Sequence, residues 1–531
     1  MSSFILAVDD GTTGIRSILF DYNAEVIAQS YEELQQYFPQ SGWCEQDPME
    51  IWDKAKRVMK KTIKQAQIKP NNIHAIGVTT QRSTNLLWDE QTGKPVYNAI
   101  TWQDTRTASL CNALDQSPKM KTVRGIGKAT KAMAQVLKGI QKTKAGARLI
   151  TSSTLSLPAA SSLAHTRWMM DNIKDAKTLQ KQDRLLCGTI DTWLIWNMTQ
   201  GQVHATDFSN ASTSGMFDMY TENWSDFLLD VVGVPSNILP EVKQTNGDFG
   251  FLNKDILGVE IPICSAVADQ QAALFAEGCF QPGDVKCTNG TGSFIDMNVG
   301  SNPPPSLHRL LPLIAWKIDG KTTFMLEGMV NTTGSAVQWL KDNLCIIDDV
   351  SQTDSLATSV PDTGGVYFVP AFTGLSSPYW DPHACGIVVG LNRLTKKEHI
   401  IRAALEGIVY RCYDVIQAMQ KSSGLSVQSL RADGGASKND FLLQFLSNIL
   451  QITVQRAHIL DGTALGAAYL AGLGSDFWES KDEVLQTRKI DCEFQPLFSV
   501  EKRNQLYAGW EKAIERALKW KTPLPEALDE S

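Results

Sequence analysis

The sequence predicts an α/β protein built as two large lobes, and three observations carry that expectation. The chain has 531 residues, more than one hydrophobic core ordinarily organises. Strand-like runs alternate with amphipathic helical runs, the pattern of largely parallel sheets flanked by helices. A unit of strand, Gly/Thr turn and strand occurs at the start of the chain and again near its middle, which points to a duplicated fold.

Taken in order, Ile5 to Val8 is an apolar strand, Asp9-Asp10-Gly11-Thr12-Thr13-Gly14 is a polar turn, and a second strand runs through Ile18 and Phe20. Glycines and threonines between two β-rich runs read as a tight hairpin. Between Asp115 and Asp171 there is no acidic residue, whereas Lys119, Lys121, Arg124, Lys128, Lys131, Lys138, Lys142, Lys144 and Arg148 are basic. This segment, about 116–158, reads as a flexible, solvated insertion, with contact to an anionic partner or attraction of ATP as the other reading. Ile261 to Val267 is a strand that stops at Asp269, and a helix begins at Gln270. The second hairpin is Val285 to Thr288, the turn Asn289-Gly290-Thr291-Gly292-Ser293, and Phe294 to Met297. Pro303 to Pro305 is a loop. Ile401, Leu405, Ile408, Cys412, Val415 and Met419 lie on one face of a helix, as do Leu506, Trp510, Ile514, Ala517 and Leu518. The lobes are expected to divide into 1–277 and 278–531.

Composition narrows the partners. A hydrophobic content of 43% with 20% charged residues fits a globular protein rather than a disordered one. The net charge of −7 argues against a nucleic-acid or anionic-membrane partner, so an anionic ligand needs positive groups gathered locally. The ten cysteines include no Cys-x-x-Cys pair, and the histidines show no metal-ligand spacing. The cysteine pattern, neither a disulfide framework nor a zinc site, points to a reducing cytoplasm. The apolar run at Phe4 to Val8 is short for a signal peptide, and no stretch reaches membrane-helix length.

The turns suit phosphoryl transfer, which needs backbone N–H groups around phosphates, a carboxylate for Mg²⁺ and a base for the attacking hydroxyl. Glycine lets backbone approach phosphate oxygens. No Gly-x4-Gly-Lys-Ser/Thr run is present, which excludes a P-loop. The alternative is two opposed lobes, each aiming a Gly/Thr turn at the phosphates. Thr12, Thr13, Gly14 and Arg16 then form one turn, and Gly290, Thr291 and Gly292 the other. Asp9 ends a strand where it could hold Mg²⁺ through water. Asp269 also ends a strand, where ligands of open α/β sheets gather. Gly434 and Gly435 precede a helix start near Asn439, a setting that suits a nucleotide.

At these residues the sequence resembles the FGGY carbohydrate kinases, over about Phe4 to Trp520. The most specific runs are Asp9-Asp10-Gly11-Thr12-Thr13, Gly42-Trp43-Cys44-Glu45-Gln46-Asp47-Pro48, Trp102-Gln103-Asp104, Gly188-Thr189-Ile190-Asp191-Thr192-Trp193, Asp269-Gln270-Gln271-Ala272-Ala273, Pro378-Tyr379-Trp380-Asp381-Pro382 and Thr463-Ala464-Leu465-Gly466-Ala467-Ala468-Tyr469. The resemblance implies ribonuclease-H-like lobes of the actin/Hsp70/hexokinase type, with the polyol side on the first lobe and the nucleotide side on the second. It implies ATP and Mg²⁺ as cofactors and a small polyol, glycerol foremost, as the acceptor. Asp269 would be the general base, Arg82 and Gln270 would hydrogen-bond the polyol, and Trp102 and Phe294 would pack on its carbon side. For those two aromatics, plain core packing is the competing reading. Thr291, Gly334, Gln338, Gly435 and Asn439 would line the nucleotide. Homodimers or homotetramers are the assemblies the family implies.

The departures cluster at the acceptor. The glycerol-directed members follow the arginine with glutamate, whereas Arg82 is followed by Ser83. Ala160 falls where a tyrosine is expected and His165 where a lysine is. Asp10 replaces a glutamine or asparagine, and Gly14 a serine. The pattern resembles a divergent glycerol-directed branch with an insertion at the same place. The loop that binds fructose bisphosphate in bacterial relatives is missing. Lost hydrogen-bonding groups weaken recognition of the original substrate. A kinase for a larger polyol or sugar, such as erythritol, ribitol or a ketose, is therefore the alternative, with a catalytically silent nucleotide-binding regulator behind it.

Overall fold

The computed structural model describes residues 3–137, 139–459 and 462–521. The first sheet has six strands, in the spatial order Phe251–Leu252, Ile261–Ala268, Ile73–Thr80, Phe4–Asp10, Gly14–Phe20 and Val26–Glu33. Phe4–Asp10, Ile73–Thr80 and Ile261–Ala268 run parallel, so their carboxyl ends meet at one edge, with Asp10 opposite Thr80 and Thr80 opposite Ala268. Their side chains are almost all buried on both faces, as expected of parallel strands covered on each side. Helix Pro48–Ala66 covers one face. Its N-cap Asp47 accepts from the Met49 N–H and proline occupies its first turn, the usual start signals.

The second sheet repeats the scheme with seven strands. Their order is Leu311–Ile318, Lys321–Val330, Ser293–Gly300, Val285–Asn289, Ser429–Asp433, Thr453–Ala457 and Ile490–Phe494. Again a hairpin opens the lobe, and a parallel strand lies beside its first arm, with Thr288 opposite Asp433. The expected helices form as Lys397–Ser423 and Val500–Ala517. Their apolar faces enter one core with Val285, Ile295, Leu326 and Leu430.

One helix joins the two halves. Gly462–Gly474 lies between the last two strands of the second sheet in the chain, yet Ala464, Ala467, Ala468 and Ala471 pack in one core with Ile5, Ala7 and Ala75 of the first sheet and Trp316 and Met325 of the second. Close approach needs glycine here. A Cβ on Gly466 would strike the Ala272 carbonyl, and one on Gly77 the Ala467 carbonyl.

The basic segment is largely solvent-exposed, as expected, but it is folded rather than a loose stretch. It folds as helices Pro118–Val136 and Lys144–Ser152. Met120, Gly127, Ala134, Ala147 and Ile150 are buried, and a Cβ on Gly127 would collide with backbone of the second helix. The missing acids are supplied by other segments: Lys119 pairs with Asp230 at 2.5 Å, Lys144 with Glu222 at 3.3 Å and Arg148 with Asp218 at 2.6 Å. Thr151 accepts from the Ser306 N–H at 2.8 Å, and Tyr220 donates to the carbonyl of Pro304 at 2.9 Å. Thr151 thereby ties the insertion to Ser306 of the second half, and Tyr220, outside the insertion, holds the adjoining 303–305 loop.

Candidate active site

The parallel register brings together the residues expected at the acceptor. Asp9, the Arg82 loop and Asp269 all leave the same edge of the first sheet. Asp269 is the first residue of helix Asp269–Ala276, and its Oδ1 accepts from the Gln270 N–H at 2.7 Å. A helix N-terminus favours a carboxylate there. Arg82 Nε lies 3.4 Å from Asp269 Oδ1, while Nη1 lies 2.5 Å from Glu327 Oε2 on the second sheet. The Arg82 side chain is 14% exposed and that of Asp269 26%, so the Asp269 carboxylate is the more open of the two and the arginine stands behind it. The guanidinium also sits 5.5 Å from the centre of the Phe294 ring, within cation–π range. Burial raises the Asp269 carboxyl above the usual carboxylate range, with Asp9 and Glu327 acting in the same sense and Arg82 opposing. Burial alone would lower the Arg82 pKa, but Glu327 and Asp269 together raise it.

Gln270 is held from the second lobe. Lys286 Nζ donates to Gln270 Oε1 at 2.9 Å and pairs with Asp296 at 2.8 Å. With its carbonyl taken, the amide N–H pair is the end of Gln270 left for an acceptor molecule. Trp102 is 39% exposed, and its Nε1 donates to Thr12 Oγ1 at 3.0 Å. This ring is therefore tied to the first turn rather than packed in a core. Phe294 is half-buried beneath Arg82. Ser83 has a left-handed φ of 62°, and its hydroxyl donates to the Thr213 carbonyl at 2.9 Å. His165 is fully buried, with neither ring nitrogen at full hydrogen-bond geometry to a partner. Burial lowers its pKa to about 4.

The residues expected to line the nucleotide separate into two groups. Gly290, Thr291, Gly334, Gln338, Gly435 and Asn439 line one cavity of about 830 Å³, together with Trp339, Phe372, Leu405 and Leu442. The N–H groups of Thr333 and Gly334 donate to the carbonyls of Thr291 and Gly290, each at 3.0 Å, where helix Gly334–Asp342 begins. Asn439 caps helix Asp440–Leu450 through Leu442 N–H at 2.8 Å and donates to Thr353 at 3.0 Å. Gln338 donates to Asp342 at 2.7 Å. Gly292 and Gly434 are absent from the cavity lining but shape the turns. A Cβ on Gly292 would sit 2.5 Å from the Val330 carbonyl, and Gly434 has φ +85° with Asn289 carbonyl 2.6 Å from its Cβ position.

Thr12, Thr13, Gly14 and Arg16 do not line that cavity; they form the opposing hairpin. Arg16 donates to Asp9 Oδ2 at 2.7 Å and to Thr463 at 2.9 Å, and Thr463 donates to Asp9 Oδ2 at 2.6 Å. Gly14 is buried beneath Tyr31, whose ring occupies the place a side chain would take. A serine here would require the exposed Tyr31 ring to swing aside. Asp10 accepts from Gln81 Nε2 at 3.0 Å, and burial raises its pKa to about 8. A neutral carboxyl there has the hydrogen-bonding character of the amide it replaces.

Glu327, Lys286 and Thr463 belong to this site, yet sequence reasoning gave them no role. Glu327 interrupts the apolar run Phe324-Met325-Leu326 and Lys286 stands between Val285 and Cys287. A charge inside a central strand is the signal that marks both. Thr463 lay inside a quoted motif, but its contact with Asp9 spans most of the chain.

Two facing sheets of repeated topology, each aiming a hairpin turn into one cleft, define the two-lobed actin/hexokinase class. The chain belongs to the FGGY family of carbohydrate kinases: the N-terminal domain of that family matches residues 4–138 and 126–276, and the C-terminal domain residues 285–475. It is 47% identical to a glycerol kinase of Caldanaerobacter subterraneus subsp. tengcongensis over 98% of this chain and 99% of the other. It is 44% identical to glycerol kinase 2 of Thermotoga maritima over 97% and 99%. Among solved structures it resembles Plasmodium falciparum glycerol kinase with ADP, at a TM-score of 0.87 and 30% identity, covering 97% of this chain and 98% of that one. A xylulose kinase from Lactobacillus acidophilus shares the fold at a TM-score of 0.79 and 21% identity, over 97% and 99%. No helix among the described residues is long and apolar enough to cross a membrane.

Proposed function

We propose that this chain transfers the γ-phosphoryl group of ATP to a terminal hydroxyl of glycerol, giving glycerol 3-phosphate, with Asp269 as general base. The observation that carries this reading is the placement of Asp269. It is open to the cleft at a helix start, 3.4 Å from Arg82 and flanked by a second acceptor group, Gln270. The glycerol kinases to which the chain is similar over nearly its whole length support glycerol as the acceptor. Arg82 and the Gln270 amide orient the polyol by donating to its oxygens, and Trp102 and Phe294 bound its carbon side. Asp269 takes the proton of the attacking hydroxyl as the new P–O bond forms. The nucleotide occupies the cavity between the Gly290–Thr291 turn and Asn439, in the cytoplasm.

The residues present fit Mg²⁺ held through water: Asp9 has one oxygen fixed by Arg16 and Thr463, which orients the carboxylate. Mg²⁺ when bound would neutralise the charge that develops on the nucleotide phosphates. A second reading, a larger polyol or sugar, is favoured by Ser83, whose hydroxyl is spent on the Thr213 carbonyl and which supplies no carboxylate.

The test is ADP release from Mg·ATP against glycerol, tetritols, pentitols and ketoses, with Asp269→Asn as blank. Glycerol turnover that falls by about 10³-fold or more in the variant, with ATP binding retained by calorimetry, is expected. Activity confined to a longer polyol would replace glycerol by the second reading. Turnover surviving in Asp269→Asn would remove Asp269 as the base.

A further inference from the structure

Glu327 and Lys286 touch the proposed acceptor groups without being among them. They occupy three adjacent strands together with Asp296, in direct register: Lys286 opposite Asp296 and Asp296 opposite Glu327. Lys286 and Asp296 are fully buried and Glu327 is 4% exposed. Ionised groups in the middle of a sheet are costly unless each finds a partner. Here the row ends at both sides on the acceptor site: Glu327 Oε2 takes Arg82 Nη1 at 2.5 Å, and Lys286 Nζ takes Gln270 Oε1 at 2.9 Å and Asp296 Oδ2 at 2.8 Å. Arg82 in turn stands 3.4 Å from Asp269. The path Asp269–Arg82–Glu327–Asp296–Lys286–Gln270 thus closes on two consecutive residues of one helix turn.

We infer that Glu327 and Lys286 are positioning residues for the acceptor, reaching across the cleft from the second sheet to set the direction of the Arg82 guanidinium and the Gln270 amide. This rests on the proposed function of the same site. Both acceptor groups come from the first lobe, and both are braced from the second, so the polyol pocket takes its final shape only when the lobes meet. A carboxylate on Glu327 fixes which guanidinium edge faces Asp269. The Lys286 ammonium fixes which end of the Gln270 amide faces substrate, because an ammonium only donates. Asp296 sits between the two, paired with the Lys286 ammonium at 2.8 Å, while its other neighbour Glu327 carries the same sign and turns instead to Arg82. Asp269 itself is faced by Arg82, Asp9 and Glu327.

Steady-state kinetics of Glu327→Gln and Lys286→Met, on whichever polyol the wild type turns over fastest, separates positioning from mere stability. Glu327→Gln is nearly isosteric and removes only the charge. The expected result is a KM for the polyol raised about tenfold or more in each variant, with KM for ATP within about twofold. Polyol and ATP constants shifting together, or neither shifting in folded Glu327→Gln, would overturn the inference. Should Lys286→Met fail to fold, Glu327→Gln decides alone. A wild type that turns over no polyol would instead sink the proposed function, a result visible before any variant is made.

Discussion

Asp10 shows how one residue can be chemically quite different from its formula. Its carboxyl is buried beside Asp9, and burial raises its pKa to about 8, so at neutral pH it is mostly protonated. A group whose folded pKa exceeds its unfolded value stabilises fully below the unfolded value, near 3.8, and loses that contribution as pH rises toward 8. Asp10→Asn keeps the acceptor for Gln81 and removes the titration. It is expected to raise stability at pH 8 by a few kcal/mol and to flatten the decline in melting temperature between pH 4 and 8; an unchanged pH profile would show the carboxyl to be ionised. At this scale the sequence was legible where a residue acts through its neighbours in the chain. Asp9 and Asp269 could be picked out because each stands at the end of an apolar strand, and Gln270 only through the family resemblance. Glu327 could not be placed, because its meaning comes from an arginine 245 residues away. Ser83 marked a change, but only the contact with Thr213 shows where its hydroxyl goes.

The helices and turns divide by how local their causes are. The two hairpins, the strand ending at Asp269 and the helix Lys397–Ser423 follow from glycines, periodicity and caps that lie in one stretch of sequence. The basic insertion is as solvated as its composition suggests, but its helical order was not legible, because the acids that pair with Lys119, Lys144 and Arg148 are residues 230, 222 and 218, outside the run that looked unbalanced. The helix Gly462–Gly474 has the opposite problem. It is apolar all round, with ten of its residues buried, which signals a buried helix but not its neighbour. Its seat depends on Gly466, where any Cβ meets the Ala272 backbone. Gly466→Ala, ordinarily favourable in a helix, is expected here to destabilise by about 2 kcal/mol or more, since backbone must shift. Denaturant unfolding would measure it, and a neutral or stabilising result would show that the two helices can separate freely.

Across the whole molecule, the duplicated α/β architecture was readable from two similar hairpins and from length alone. How the halves interlock was not, because contacts between lobes leave no periodic trace. That interlock bears on how the protein is made. Ile5, Ala7 and Ala75 are covered by a helix that begins at residue 462, and helix Asp269–Ala276 leans on the same partner through Gly466. While residues 277–461 are being synthesised, an interval on the order of ten to forty seconds at ordinary translation rates, the first sheet has one face without its cover. A nascent chain in that window presents apolar strands to its surroundings, and it must be shielded on the ribosome or by chaperones until the late helix arrives to close it.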